Sequence, residues 1–191
     1  MRIYNCQLLS ATPNPSFERT ALPPLNSNVR PQNTPMRVLQ ESPDQPEVIG
    51  LIAELDAYQD TLYPAEARYA LDLVSLKKSN VVFVVARDSD GKAIGCGAVV
   101  ATGSVGELKR MYVRPENRGQ GVARGLLVEL EASSLRAGCS ELLLETGPYQ
   151  QEALAFYDKQ GYKRRGPFGT YPNHPLSVFM GKYLVHQEPD A

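Results

Sequence analysis

The sequence predicts an α/β fold, a mixed sheet with helices packed on both of its faces. Three observations carry this. After residue 36, short runs rich in β-branched residues alternate with longer segments whose apolar residues recur at helical spacing. The early strands meet through a hairpin turn. The later strands are joined through helices.

The elements follow in chain order. Arg37 to Glu41 reads as a first strand. Asp44 to Ala57 carries Val48, Ile52 and Leu55 at helical spacing, with Leu51 beside them and Asp44 placed as a cap. Ala65 to Leu76 reads as a second helix, with Ala70, Leu73, Val74 and Leu76 gathered towards its end. Val81 to Ala86 is a β-branched run, and the turn Asp88-Ser89-Asp90-Gly91 leads from it into Ala93 to Ala101. Glu107 to Val113 forms the next strand, which stops before Pro115. A long helix over Arg124 to Ala137 follows, its buried face formed by Leu126, Leu127 and Leu130 with Val122 and Ala123 just ahead. Leu142 to Glu145 is a short buried strand and Glu152 to Gln160 a helix; Tyr162 to Arg164 and Leu176 to Tyr183 close the sheet. No internal repeat is present.

A chain of 191 residues suits one domain of ordinary size. The first 35 residues stand apart, because Pro13, Pro15, Pro23, Pro24, Pro31 and Pro35 alternate with asparagines and break any periodicity. Residues 1–35 therefore read as a disordered extension, 36–185 as the folded domain and 186–191 as a flexible tail. Met36 is a natural start for the domain, with a misassigned start codon as one origin of the preceding segment. Met1 to Ala11 lacks a proper hydrophobic region and makes a poor signal peptide. Lys and Arg number 20 against 21 Asp and Glu. The extension holds three arginines and one glutamate, so its +2, removed from the total of −1, leaves the remainder at −3. Such a domain offers no footprint for nucleic acid or an anionic membrane. Cys6, Cys96 and Cys139 are isolated, and with only His174 and His186 beside them they suggest neither a disulfide framework nor a metal site. Free thiols fit a cytoplasmic protein, with Cys96 and Cys139 as buried small hydrophobes in strand-like runs.

The chemistry concentrates after the strand that ends at Val113. Arg118-Gly119-Gln120-Gly121-Val122-Ala123 is a glycine-spaced turn that opens a helix. Small residues there let backbone N–H groups converge on an anion, and the helix N-terminus adds partial positive charge. Neither the Gly-Lys-Ser/Thr of a phosphate-binding loop nor a three-glycine dinucleotide fingerprint is present. About thirty residues later comes Ala153-Leu154-Ala155-Phe156-Tyr157-Asp158-Lys159-Gln160-Gly161-Tyr162. The first stretch resembles the Arg/Gln-x-x-Gly-x-Gly/Ala motif of the GNAT superfamily of acyl-CoA-dependent N-acetyltransferases. The second resembles that superfamily's next acyl-CoA helix. The likeness covers residues 36 to 183 and is of the small bacterial single-domain type, which implies a mostly antiparallel GNAT-like sheet.

The resemblance implies an enzyme that moves an acetyl group from acetyl-CoA to a primary amine of a small molecule, by direct transfer in a ternary complex. The pyrophosphate would meet the N–H groups of Gly119, Gln120, Gly121, Val122 and Ala123, with Arg118 and Arg124 as charge partners and Arg114 as a third candidate. Met111, Tyr112 and Val113 would offer their backbone to the pantetheine arm, and the Met111 N–H would polarise the thioester. Gln150 stands where the family often has asparagine facing the cofactor. Tyr157 would protonate the departing sulfur. Glu107 or Glu145 would take the amine proton, although either carboxylate is equally placed to pair with Lys109 or Arg110. His174 is a further base candidate that a turn position explains as well.

The acceptor would lie between Tyr63, in Thr61-Leu62-Tyr63-Pro64, and the aromatic loop of residues 166–175 with Phe168 and Tyr171. Alternatives are a non-catalytic acyl-CoA sensor, which would tolerate loss of Tyr157 and the carboxylates, and a protein or RNA acetyltransferase, which would need an open groove or a basic surface. Dimers are common in the superfamily, so a homodimer stays open.

Overall fold

Seven strands and four α-helices make up residues 36–185, the part of the chain that the computed structural model describes. The readings of residues 1–35 and 186–191, and with them Cys6 and His186, lie outside the described residues. The strands are β1 (Arg37–Gln40), β2 (Val81–Arg87), β3 (Ala93–Thr102), β4 (Val105–Val113), β5 (Glu141–Thr146), β6 (Lys163–Arg165) and β7 (Val178–Tyr183). They form one sheet in the order β1-β2-β3-β4-β5-β7-β6. Every neighbouring pair is antiparallel except β4 and β5. Those two run parallel because the long helix α3 (Val122–Arg136) carries the chain back between them. The mixed, mostly antiparallel sheet is the one the sequence predicts.

Helices cover both faces. On one face α3 and α4 (Gln151–Lys159) bury Leu126, Leu130, Leu154 and Tyr157 against Val84, Val99 and Leu144. On the other, α1 (Pro46–Asp60) and the single turn α2 (Leu73–Leu76) bury Val48, Leu51, Leu55 and Leu76 against Phe83, Val85 and Cys96. A strand covered on both sides has no polar face, which is why β2 reads as an unbroken apolar run.

Three local expectations are corrected. Asp44 does not cap α1: the helix starts at Pro46, whose fixed φ suits a first helical position, and Asp44 instead pairs with Lys77 at 2.5 Å. The second helix is largely absent. Ala65–Ala67 makes one 3₁₀ turn, Leu73–Leu76 one α-turn capped by the Asp72 carboxylate on the Ser75 N–H at 2.7 Å, and residues 68–72 are irregular. The reason is tertiary: the Leu71 carbonyl bonds the Arg110 guanidinium instead of a helical N–H, and Val74 is left 76% exposed. Cys139 is buried as expected but lies in the turn after α3, not in a strand.

The edge of the sheet is tied to α1 by one arginine. Arg87 bonds Glu41 through Nε and Nη2 at 2.9 and 2.8 Å, Glu47 at 2.8 Å, and the side chain of Gln45 at 3.0 Å. Both Arg87 and Glu41 are mostly buried. The guanidinium holds the Glu41 carboxyl below its usual value of about 4.5, against the opposing effect of burial. Arg87→Met should therefore cost about 2–3 kcal/mol, by leaving the mostly buried Glu41 without its cation. The sign of the pH effect follows. Above the ordinary carboxylate value the pair contributes fully, and as pH falls through the lowered native value the unfolded chain binds the extra proton first and the contribution is lost. Urea midpoints measured from pH 7 downwards should show this loss below about pH 4.5 in the wild type and a shallower decline in Arg87→Met.

Candidate functional site

The site begins where two parallel strands part. β4 and β5 pair only from Val105↔Glu141 to Leu108↔Leu144. Beyond that point β4 continues to Val113 with its β5-facing edge unpaired. The cause is a bulge. Opposite β3, Cys96 pairs with Tyr112 and Ala98 with Lys109, so Arg110 and Met111 together face the single residue Gly97. Arg110 takes φ +56°, the one described non-glycine residue with positive φ. Gly97 is needed for close approach: a Cβ there would lie 2.5 Å from the Met111 sulfur and 2.9 Å from Leu130.

Three connected cavities follow the opened edge. The first lies at the start of α3 and is lined by Arg118, Gly119, Gly121, Val122, Ala123 and Arg124. Gly119 and Gly121 have φ of +73° and +84°, and a Cβ at either would meet only open space, so the left-handed turn is what requires glycine here. Among the described residues no acceptor meets the backbone N–H groups from Gly119 to Arg124. That leaves a concentrated set of donors at a helix N-terminus, an arrangement suited to an anion. Arg118 Nε meanwhile donates to the Val113 carbonyl at 3.2 Å, which fixes the arginine beside the strand end.

The second cavity, about 420 Å³, runs along the free edge of β4 between Met111, Tyr112, Val113, Gln150, Phe156 and Tyr157. The third, about 110 Å³, opens towards α1 and contains Arg68, Lys109, Arg110 and Glu145. Met111, Gln150, Ala153 and Tyr157 line both of these. Tyr157 is 6% exposed, and burial pushes its hydroxyl pKa well up, so the phenol keeps its proton at neutral pH.

The two candidate carboxylates have different surroundings. Glu107 is engaged: it accepts from the Tyr171 hydroxyl at 2.5 Å and from Lys109 at 2.7 Å, and Lys109 also bonds the Tyr171 oxygen and the Tyr69 carbonyl. The Lys109 pairing foreseen in the sequence is thus made by Glu107. Glu145 instead lines the third cavity. Burial raises its pKa, and Glu107 adds to this. The Ser177 hydroxyl and Lys109 pull the other way, although the buried Ser177 oxygen makes no hydrogen bond of ordinary geometry among the described residues.

Other predicted residues act as supports. Phe168 lies outside all three cavities and packs edge-on against Tyr171 and Phe179 at 5.1 and 5.7 Å, and Tyr171 meets Tyr69 at 4.8 Å. This cluster fixes the 166–175 loop. Gln120 turns its side chain back to the Glu116 carbonyl at 3.0 Å. Arg114 is held by Glu54 at 2.9 Å, away from the helix start, and His174 accepts from the Leu176 N–H at 3.2 Å as a turn residue. The Gln150 amide oxygen accepts from Thr146 and from the Gly147 N–H at 2.9 and 3.2 Å, closing the turn between β5 and α4. Arg68, Lys109 and Arg110 were not singled out as site residues in the sequence, because the bulge and the irregular 68–72 segment that aim them have no local signal there.

Tyr63 is both wall and anchor. It is 7% exposed, its ring stacks on Tyr149 at 5.6 Å, and its hydroxyl accepts from the Tyr149 N–H at 2.9 Å. A Cβ on Gly147 would fall inside the Tyr63 ring. Gly147→Ala should destabilise the fold by about 1–3 kcal/mol through overpacking. Thermal melts of that variant, alone and with Tyr63→Leu, check this, since the smaller residue should recover part of the loss.

Comparison with known proteins agrees with this geometry. Residues 78–164 match the family model described as an acetyltransferase (GNAT) domain. An IAA acetyltransferase from Azospirillum brasilense is 50% identical over 149 residues, which span 77% of this chain and 97% of that protein. Among solved structures, a candidate acyl-CoA N-acyltransferase from Klebsiella pneumoniae is 40% identical with a TM-score of 0.71, over 78% of this chain and 98% of its own. The PaiA N-acetyltransferase from Thermoplasma acidophilum, solved with coenzyme A, shares the fold at 21% identity and a TM-score of 0.60, over 78% and 98% of the two chains. The chain belongs to the GNAT family of acyl-CoA-dependent N-acetyltransferases.

Proposed function

We propose that this protein transfers an acetyl group from acetyl-CoA to a primary amine of a small molecule, by direct attack in a ternary complex. One observation carries the reading. The edge left free by β4 and the cavity that holds Glu145 meet at Met111 and Tyr157, so a thioester laid along the strand would end where an amine could reach it. The pyrophosphate is held by the N–H groups of Gly119 to Ala123, with Arg118 and Arg124 beside them. Coenzyme A in the Thermoplasma relative supports the assignment of the donor. The small volume of the acceptor cavity, about 110 Å³, supports a small molecule over a protein segment.

The steps use this chain's own groups. Glu145, made more basic by burial, accepts the amine proton as the nitrogen attacks the thioester carbon. A backbone N–H on the free edge of β4, that of Met111, stabilises the oxyanion. As the C–S bond breaks, Tyr157 gives its proton to the sulfur, and the proton taken by Glu145 restores the phenol through solvent. Glu107, whose Oε1 accepts from both Lys109 and Tyr171, supports the loop in preference to acting as base.

Mass spectrometry of a pooled amine library incubated with acetyl-CoA tests the reading. An acetylated product is expected, and no product despite acetyl-CoA binding would favour a sensor. Tyr157→Phe should lower kcat about 10²-fold with acetyl-CoA affinity nearly unchanged. Gly121→Glu should abolish acetyl-CoA binding in calorimetry, through charge conflict and backbone strain together. The acid limb of the kcat/KM profile should lie above the ordinary carboxylate value of about 4.5, because the native pKa of Glu145 is raised and the base works only when deprotonated. Glu145→Gln should remove that limb and lower the rate about 10²- to 10⁴-fold, whereas Glu107→Gln should leave the limb in place.

A further inference from the structure

We infer that the acceptor is an amino acid, a small amine whose own carboxylate is bound by Arg68 while Glu145 receives the amine. The inference rests on the acetyl transfer proposed above and adds the class of acceptor.

The argument is one of supply and saturation of charge. Apart from tyrosines, the ionisable residues lining the acceptor cavity are three cations, Arg68, Lys109 and Arg110, and one anion, Glu145. Two of the cations are already committed. Lys109 spends its three donors on Glu107, the Tyr171 hydroxyl and the Tyr69 carbonyl. Arg110 is 7% exposed and bonds Asp56 and the Leu71 carbonyl through Nη1, Nη2 and Nε. Arg68 differs. Its Nη1 pairs with Asp60, which is 55% exposed and well screened by solvent, while its Nε is buried and meets no acceptor among the described residues.

A guanidinium N–H buried without a partner calls for an acceptor, and a planar carboxylate is the group that fits its fork. Arg68 follows the 3₁₀ turn after α1, whereas Glu145 is on β5, so cation and anion come from separate walls of one small cavity. A ligand that bears an ammonium and a carboxylate meets both. A simple amine would leave the Arg68 N–H unanswered, and a polyamine would bring a second positive charge among three cations.

The test compares each L-amino acid with its own carboxamide as acceptor for the wild-type enzyme, followed by release of the CoA thiol and by product mass, with simple alkylamines alongside. For the preferred side chain, kcat/KM for the free acid should exceed that for the carboxamide by about tenfold or more. This is expected although carboxamides carry the less basic amine and so present more neutral nucleophile. Arg68→Gln, checked for an unchanged melting profile, should erase the preference by raising KM for the acid while the KM of the carboxamide stays put. Equal or better use of carboxamides or alkylamines by the wild type would overturn the carboxylate anchor and leave acetyl transfer standing. Failure to acetylate any amine would overturn the transfer reading, and the anchor with it. The wild-type comparison decides the matter even if Arg68→Gln does not fold.

Discussion

Everything distinctive about this site depends on one extra residue in β4. At Arg110 the strand carries two residues where β3 offers one, and the backbone turns into the left-handed region to accommodate them. A non-glycine residue there costs on the order of 1–2 kcal/mol. The side chain offsets that cost through its bonds to Asp56 on α1 and to the Leu71 carbonyl. The same contacts explain why residues 68–72 are not helical: a carbonyl committed to a guanidinium is withdrawn from the helical ladder. A strained residue, a broken sheet pair and an interrupted helix thus share a single origin. Their joint result is an unpaired strand edge beside a cavity, which an unbulged β4 lying flat against β5 would not leave.

Environment, more than sequence position, separates the two carboxylates. Glu107 and Glu145 lie on neighbouring strands, Glu107 third from the start of β4 and Glu145 next to the end of β5. Lys109 lies two residues after Glu107 on the same strand face and satisfies it, with Tyr171 completing the shell. Glu145 is left with burial as the dominant influence. Two similar groups with divergent surroundings suit different tasks: one holds the 166–175 loop by electrostatics, and the other is free to exchange a proton. The Lys109 pairing also keeps a positive charge near Glu145, which limits how far burial can raise its pKa.

The parts of the molecule legible in the sequence are those specified locally. The left-handed glycines Gly119 and Gly121, the helix that follows them and the Tyr157 helix are set by residues within a few positions of one another, so motif and periodicity both find them. The strands β2 and β3 are legible for the same reason, through β-branched runs around a turn at Asp88 to Gly91. What escaped is set at long range. Nothing adjacent to Arg110 announces a bulge; its cause lies in Gly97 across the sheet and in Asp56 on another helix. Ala65 to Leu76 reads as a helix because its apolar residues have the right spacing, and only the distant arginine overrides that spacing. Asp44 has the chemistry of a cap, but Pro46 fixes where α1 starts and Lys77 takes the carboxylate.

The turn between β5 and α4 shows how the two halves of the site are bound together. Gly147 must lack a side chain because Tyr63 fills that space; Tyr63 accepts the Tyr149 N–H; and Gln150 closes the turn on Thr146 and Gly147. Those few residues form part of the wall of the cavity that holds Glu145, and they also set where α4 begins, hence where Tyr157 points two turns later. Tyr63 thus serves two roles at once, lining the cavity that holds Glu145 and bonding the turn from which α4 carries Tyr157 to the edge of β4. Little compliance separates these roles, because the Tyr63 ring stacks on Tyr149 and leaves no room for a side chain on Gly147.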